Sequence, residues 1–332
     1  NLRINAGLRW ATFSSGQASY GGLEPRLSVA WTLPRDYALK ASYATMNQFV
    51  HLLSNTGVGL PTDRWVPSTA SVLPQQSRQI ALGMAKDFPE KGITLTFEGY
   101  YKTMKNVVNL REGTSYLLDE DGLSSLLEGE KSNDLWQKQI TQGTSWSNGY
   151  ELMIQKKVGR FSGWLGYTLS WTKQQDSNLN GGKEFWAHYD RRHDFSLVGI
   201  YKASKRLTLS ATWVYGTGNA ITLAQSRYLT FSNPPGTAYL ETRGGTAYDY
   251  GERNSFRAAA YHRLDLSVQL HRKMKKGHER TWEWSIYNVY GQKNPFFYDY
   301  ASRQLPNGQS EKYLKQYSLF GFIPSFSYSF KF

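Results

Sequence analysis

The chain has 332 residues, a formal net charge of +13, no cysteine and a mean hydropathy of −0.56. The lack of cysteine excludes disulfides and thiolate-held metals. No run of 18 apolar residues is present to make a transmembrane helix. The basic residues are spread along the chain with no nucleic-acid motif, so nucleic acid is not an expected partner and turns beside anionic lipid head groups account for the charge.

Taken in order, the chain reads as strands. Leu2, Ile4, Ala6, Leu8 and Trp10 alternate with Arg3, Asn5, Gly7 and Arg9 in a first strand, and a Gly/Ser-rich loop over residues 14–22 follows. Leu27, Val29, Trp31 and Leu33 form the second. A tight turn at Pro34-Arg35-Asp36 leads into Tyr37, Leu39, Ala41 and Tyr43. A long loop over residues 49–73 precedes a fourth strand at Ile80, Leu82 and Met84, and a turn at residues 89–92 precedes a fifth at Ile93, Leu95, Phe97 and Tyr101. Residues 111–147 are irregular, and Leu117, Leu118, Leu123, Leu126 and Leu127 point to a short helix there. The sixth strand opens at Tyr150 and the seventh at Phe161. The eighth carries Phe195, Leu197 and Tyr201, and the ninth carries Leu207, Leu209 and Trp213. The longest loop, residues 218–260, precedes a tenth strand at Leu264, Leu266, Val268 and Leu270, and Trp282, Trp284 and Ile286 mark the eleventh. After a loop over residues 291–312, Phe320, Phe322, Phe326, Tyr328, Phe330 and Phe332 all fall on even positions of a terminal strand.

These are about twelve antiparallel strands of roughly ten residues, the length that crosses a bilayer at a tilt. Long and short connections alternate, as in outer-membrane barrels with long extracellular loops and short periplasmic turns. The other strand face carries Arg26, Lys40, Glu98, Asp265 and Gln269, which suits a solvated or plugged lumen. The fold class is therefore an all-β transmembrane antiparallel barrel in the outer membrane. The sequence opens at Asn1 inside a strand, without an initiator Met or signal segment, so an N-terminal part is expected to be missing.

Leu23-Glu24-Pro25-Arg26-Leu27-Ser28, Lys40-Ala41-Ser42-Tyr43 and Leu60-Pro61-Thr62-Asp63 resemble the second half of the barrel of TonB-dependent outer-membrane receptors, particularly the kind common in Bacteroides-like bacteria. Glu98-Gly99-Tyr100-Tyr101-Lys102, Tyr189-Asp190-Arg191-Arg192-His193-Asp194-Phe195, Tyr287-Asn288-Val289-Tyr290, Asn294-Pro295 and the terminal Phe332 continue the likeness. The resemblance implies a 22-stranded plugged barrel, of which residues 1–332 would be strands 11 to 22, with the plug and N-terminal strands outside this sequence. It implies energised import of a scarce nutrient such as a metal chelate, vitamin, glycan or peptide. It implies TonB as partner through an N-terminal region, outer-membrane lipid and lipopolysaccharide as surroundings, and a surface lipoprotein as an optional partner. It further implies that the terminal strand, through Phe322, Phe326, Tyr328, Phe330 and Phe332, is read by the barrel-assembly machinery, which suits capture of an edge strand by β-augmentation. The alternative is a self-contained 12-stranded barrel, either an autotransporter translocator or an outer-membrane hydrolase.

No catalytic residue or cofactor is expected. His188, Asp190, His193 and Asp194 are the densest ligand-like cluster and have donor types that suit a metal. The same spacing describes a loop-to-strand boundary with rim charges, which is the preferred reading. Glu98 and Asp265 are candidates to face each other across the lumen as paired carboxylates. Ser267 and His271 share a face as an ordinary lumen pattern. Trp65, Trp136, Trp146, Phe185 and Trp186 are loop aromatics able to stack on a ligand or to pack the loops together. Trp10, Trp31, Trp171, Trp213, Trp282 and Trp284 read as lipid-facing anchors.

Overall fold

The structure is a computed structural model that describes residues 1–16, 18–54, 63–111, 136–232, 243–274 and 277–332, with the backbone alone for 227–232 and 243–248. The leucines at 117–127 lie outside the described residues. Twelve strands form one antiparallel meander in sequence order. They are β1 (Leu2–Ser15), β2 (Ala18–Leu33), β3 (Tyr37–Gln48), β4 (Gln75–Phe88), β5 (Ile93–Leu110) and β6 (Ile140–Lys156). The rest are β7 (Phe161–Gln175), β8 (His193–Lys202), β9 (Leu207–Gly216), β10 (Tyr261–Lys273), β11 (Glu279–Tyr287) and β12 (Ile323–Lys331). A two-residue strand, Phe185–Trp186, adds to β7 beyond the end of β8. Among the described residues β1 and β12 are each paired on one side only, so the sheet has two edges.

Period-two sequence makes the two faces chemically different. One register row runs Leu2, Trp31, Leu39, Met84, Phe97, Leu152, Tyr167 and Phe195 across eight strands. Leu8, Trp10 and Leu82 on this face are more than 60% exposed. A band of large apolar side chains this wide is stable only against lipid. The opposite face has a row of Lys40, Gly83, Glu98, Glu151, Thr168 and Asp194. That face is the lumen wall, and it is polar. The buried apolar cluster of the described residues lies beyond the wall, where Leu53, Val66, Val72, Leu110, Trp136 and Ile140 pack at the long-loop end.

Four expectations change. The first connection is no long loop, because β1 and β2 pair up to Ser15 and Ala18. Gly21 and Gly22 are strand residues: a Cβ on Gly21 would stand 2.9 Å from Trp10 Cζ2, and one on Gly22 2.6 Å from Asn47 Nδ2. The strict alternation of long and short connections therefore starts after β2. Secondly, the long loops contain hairpins of their own, Val50–Ser54 with Asp63–Pro67, Ala224–Ser232 with Arg243–Tyr250, and Phe297–Gln304 with Ser310–Tyr317. Thirdly, the wall strands run from 9 to 18 residues. Lastly, β12 begins at Ile323, so Phe320 and Phe322 precede it.

Candidate functional site

The long-loop end is built around the uneven height of the wall. β8 stops pairing with β7 at His193 and Leu169, while β7 continues to Gln175. The amides of β7 above that point need other acceptors. Ser170 N–H donates to Arg192 O at 3.1 Å, and the amide of Ala187 donates to Thr172 O at 3.0 Å. The Thr172 amide donates to the Asp190 carboxylate at 2.6 Å. A side chain thus replaces the missing strand.

Asp190 is 1% exposed and holds more than one segment. Arg257, from the loop before β10, bonds both its carboxylate and its carbonyl, and Arg192 lies 3.7 Å from the same carboxylate oxygen. Next to it, Asn254 receives Thr222 Oγ1 at 3.0 Å and donates to Trp186 O at 2.7 Å. Arg253 donates to Leu110 O at 3.2 Å, and its guanidinium lies 5.4 Å over the Phe185 ring. The loop between β7 and β8, the loop between β9 and β10 and the end of β5 at Leu110 are therefore joined by a buried polar network.

The ligand-like cluster comes apart in three directions. His188 Nδ1 donates to Ala220 O at 2.8 Å, Asp190 serves the clamp just described, and His193 Nδ1 meets Tyr167 OH at 2.9 Å. Among the described residues no group of three His, Asp or Glu side chains is placed to hold a metal ion. Burial lowers the pKa of His188 below the usual histidine value, against a smaller upward pull from the Ala220 carbonyl. Buried His51 bonds Ser68 Oγ at 2.9 Å and is lowered by the same cause.

The loop aromatics divide. Trp65 is 64% exposed on its hairpin, while Trp136 is buried in the apolar cluster and Phe185 is buried beneath Arg253, so these last two pack loops. Trp146 belongs to β6 on the lipid side of the wall, in register with Lys173, and Trp186 lies opposite Lys173 on the short strand. Arg192 sits 4.8 Å over both Trp171 and Trp186. In β12, Phe326 lies 5.5 Å from Trp284, Tyr328 lies 5.7 Å from Trp282, and Phe330 lies 6.1 Å from Phe332. These aromatics stand exposed on the lipid face.

The lumen wall corrects the expected carboxylate pair. Glu98 stands directly opposite Glu151 on the neighbouring strand. Asp265, five strand positions away or about 24 Å along the sheet, takes Arg263 Nε at 3.0 Å and the Asn288 amide at 2.9 Å. Ser267 donates to Glu283 at 2.6 Å, and His271 bonds Thr208 and Thr281, so the Ser267–His271 face holds no dyad. A cavity of about 380 Å³ opens on the lumen side between Gln79, Glu98, Tyr100, Lys102, Glu151 and Tyr189. On β1 and β2, Glu24 is buried, 3.5 Å from Arg9 and 3.4 Å from Arg26, and it receives the Asn47 amide at 2.9 Å. Glu151 was readable from the alternation of Tyr150, Leu152 and Ile154. Arg253, Asn254 and Arg257 were not, because their partners lie 32 to 143 residues away.

The inner wall is polar and charged beneath the interlocked loops, and sequence comparison identifies the kind of barrel. Residues 1–318 match the family model described as TonB dependent receptor-like, beta-barrel. The chain belongs to this family. As a family member it is an outer-membrane β-barrel protein, and the match favours the receptor over a self-contained 12-stranded barrel. Among solved structures it is similar to BauA, the ferric preacinetobactin receptor of Acinetobacter baumannii, with 14% identity over 99% of this chain and 40% of that one, at a TM-score of 0.55. It is similar to the pyoverdine receptor FpvA of Pseudomonas aeruginosa PAO1 bound to pyoverdine, with 13% identity over 89% of this chain and 36% of that one, at a TM-score of 0.54. A complex of FpvAI with pyocin S2 also matches, with 13% identity over 89% of this chain and 34% of that one, at a TM-score of 0.53. At these identities the likeness is one of fold. The chain spans about a third to two-fifths of the length of these structures. A comparison with curated proteins found no match.

Proposed function

We propose that residues 1–332 are strands 11 to 22 of the barrel of a TonB-dependent importer of the kind common in Bacteroides-like bacteria. The whole receptor takes up a scarce solute, with a metal chelate, vitamin, glycan or peptide as the candidate classes. A ferric siderophore is the first to test, since receptors of similar fold bind ferric preacinetobactin and pyoverdine. The observation that carries the reading is the polar lumen wall, with Glu98 and Glu151 side by side over a cavity of about 380 Å³, beneath the clamp at Asp190. Such a wall leaves room for a solvated interior and does not make a packed core. The role is binding and passage without bond-making chemistry. TonB engages the receptor through a segment outside this chain, and the aromatic β12 serves the barrel-assembly machinery.

The test is uptake by cells carrying the full-length receptor, with and without TonB, under limitation of iron, vitamin, glycan or peptide in turn. Import that needs both the receptor and TonB is the expected result and names the solute class. Uptake unaffected by loss of TonB would overturn the reading.

A further inference from the structure

The loop between β7 and β8 opens on Asp176-Ser177-Asn178-Leu179-Asn180-Gly181. That order, Asp-x-Asn-x-Asn-Gly, is the opening half of a calcium-binding loop, in which alternate oxygen-bearing side chains turn toward one ion and glycine allows the sharp bend. The backbone makes such a bend, with φ of 51°, 61° and 76° at Asn180, Gly181 and Gly182. Asp176 is 2% exposed. Its Oδ1 accepts Thr141 Oγ1, from β6, at 3.0 Å and the amide of Asn178 at 2.9 Å. Its Oδ2 is sealed from solvent and has no hydrogen-bond donor among the described residues. A buried carboxylate oxygen without a donor is rare and calls for a partner of another kind. The exposed Asn178 donates its carboxamide to the same Thr141 hydroxyl at 3.0 Å, so a carboxylate, a hydroxyl and an amide meet at one point.

We propose that this turn binds a calcium ion through Asp176 Oδ2, the Asn178 carboxamide oxygen and Thr141 Oγ1, with water completing the shell. The Asn178 carboxamide turns over to present its oxygen, a change its nearly symmetric shape allows. All the donors are oxygens and one of them is charged. That suits calcium better than a transition metal, which favours nitrogen and sulfur, or magnesium, whose small octahedral shell is harder to fill. The twelfth position of the pattern, where a full calcium loop has a bidentate Glu, is Ala187. The site is therefore a weak one, in the range of about 10⁻⁴–10⁻³ M typical of extracellular calcium modules, and it stands at the long-loop end of the wall. Asn180 Oδ1 accepts the Arg253 amide at 2.9 Å, and Arg253 reaches Leu110 O, so ordering this turn also steadies the loop between β9 and β10. The competing account is that Asn109, opposite Thr141 on β5 and with a buried amide nitrogen that has no partner of its own among the described residues, swings to bond Asp176 directly. That account predicts no dependence on calcium. The inference is independent of which solute is transported.

The test uses the full-length receptor in detergent, stripped of metal with a chelator and titrated in a calorimeter with calcium chloride or magnesium chloride. Saturable calcium binding is expected, with magnesium about tenfold weaker or more. D176N weakens calcium binding by about tenfold or more, with the heat-resistant gel mobility of the folded barrel retained. N178D brings a second carboxylate to the ion and tightens binding by about tenfold. Calcium also slows hydrogen exchange at the Asn178 and Arg253 amides in the parent protein and not in D176N. If D176N does not fold, N178D carries the test, and unchanged affinity in that variant would overturn the proposal. No binding at millimolar calcium, or exchange indifferent to calcium, would overturn it in favour of the direct contact with Asn109. Equal affinity of folded D176N would overturn it by pointing to a calcium site elsewhere.

Discussion

The wall has a tall part and a low part. β4 to β7 have 14, 18, 17 and 15 residues, whereas β8 and β9 have 10 each and β11 has 9. At about 3.3 Å per residue, β5 is about 59 Å long and β11 about 30 Å. β11 just meets the roughly nine to eleven residues a tilted spanning strand needs and β5 goes well beyond it, so the difference lies outside the bilayer. Over the tall part the backbone continues as ladder, and the loops pack onto it through an apolar cluster with Leu53 and Trp136 at its heart. Over the low part the ladder stops, and the loop between β7 and β8, with its buried carboxylate, completes the hydrogen bonds of β7. A strand can outlast its neighbour only if another polar group takes over its backbone, and here Asp190 is that group.

The largest effect should come from the low part. D190A leaves the Thr172 amide and two guanidinium groups without their shared acceptor, and should cost about 4 kcal/mol locally. Hydrogen exchange at the Thr172 amide would report it, with thermal melting of the barrel little changed. An unprotected Thr172 amide in the parent protein would break the comparison outright. L53A should cost about 3 kcal/mol at the tall part by leaving a cavity, read as faster proteolysis of the hairpin Val50–Ser54 with Asp63–Pro67. It should not disturb exchange at Thr172.

A pH series acts on both parts with a smaller effect. Burial holds His51 and His188 below the usual histidine pKa of about 6.5, so the opened loops bind more protons than the closed ones. The stability tied to these sites is complete above about pH 6.5 and falls as the pH drops below it. Exchange at pH 5 should therefore speed up over both parts, and H51N should remove the change over the tall part alone. Acid protection in place of loss would contradict the assignment of neutral rings. The smallest effect is E184Q on the exposed pair with Lys173, about 0.5 kcal/mol or less in loop stability.

What the sequence disclosed followed from period two. The twelve strands, their lipid faces and the inward direction of Glu98 are all local consequences of alternation. Gly21 and Gly22 misled because glycine marks turns as readily as it marks a strand beneath a crowding indole. The hairpins inside the long loops escaped because their strands lack a clean apolar face. Trp136 and Trp65 look alike in sequence, yet one is buried and the other exposed, since Leu53, Val66 and Ile140 meet Trp136 only through folding. The clamp at Asp190 was invisible for the same reason. The sequence showed an acid among His188, Arg191 and Arg192, but nothing local identifies Arg257 as its partner.

That clamp also sets an order in time. Neighbouring wall strands are joined by contacts between consecutive segments, so each hairpin can close as soon as its second strand is available. Arg257 follows Asp190 by 67 residues, and β8 and β9 lie between them. Closing so wide a loop is slower and entropically dearer than closing a hairpin. The Asp190–Arg257 contact therefore forms only after β8 and β9 have taken their places. Until then Asp190 lacks the guanidinium of Arg257, and their meeting marks the completion of this side of the wall.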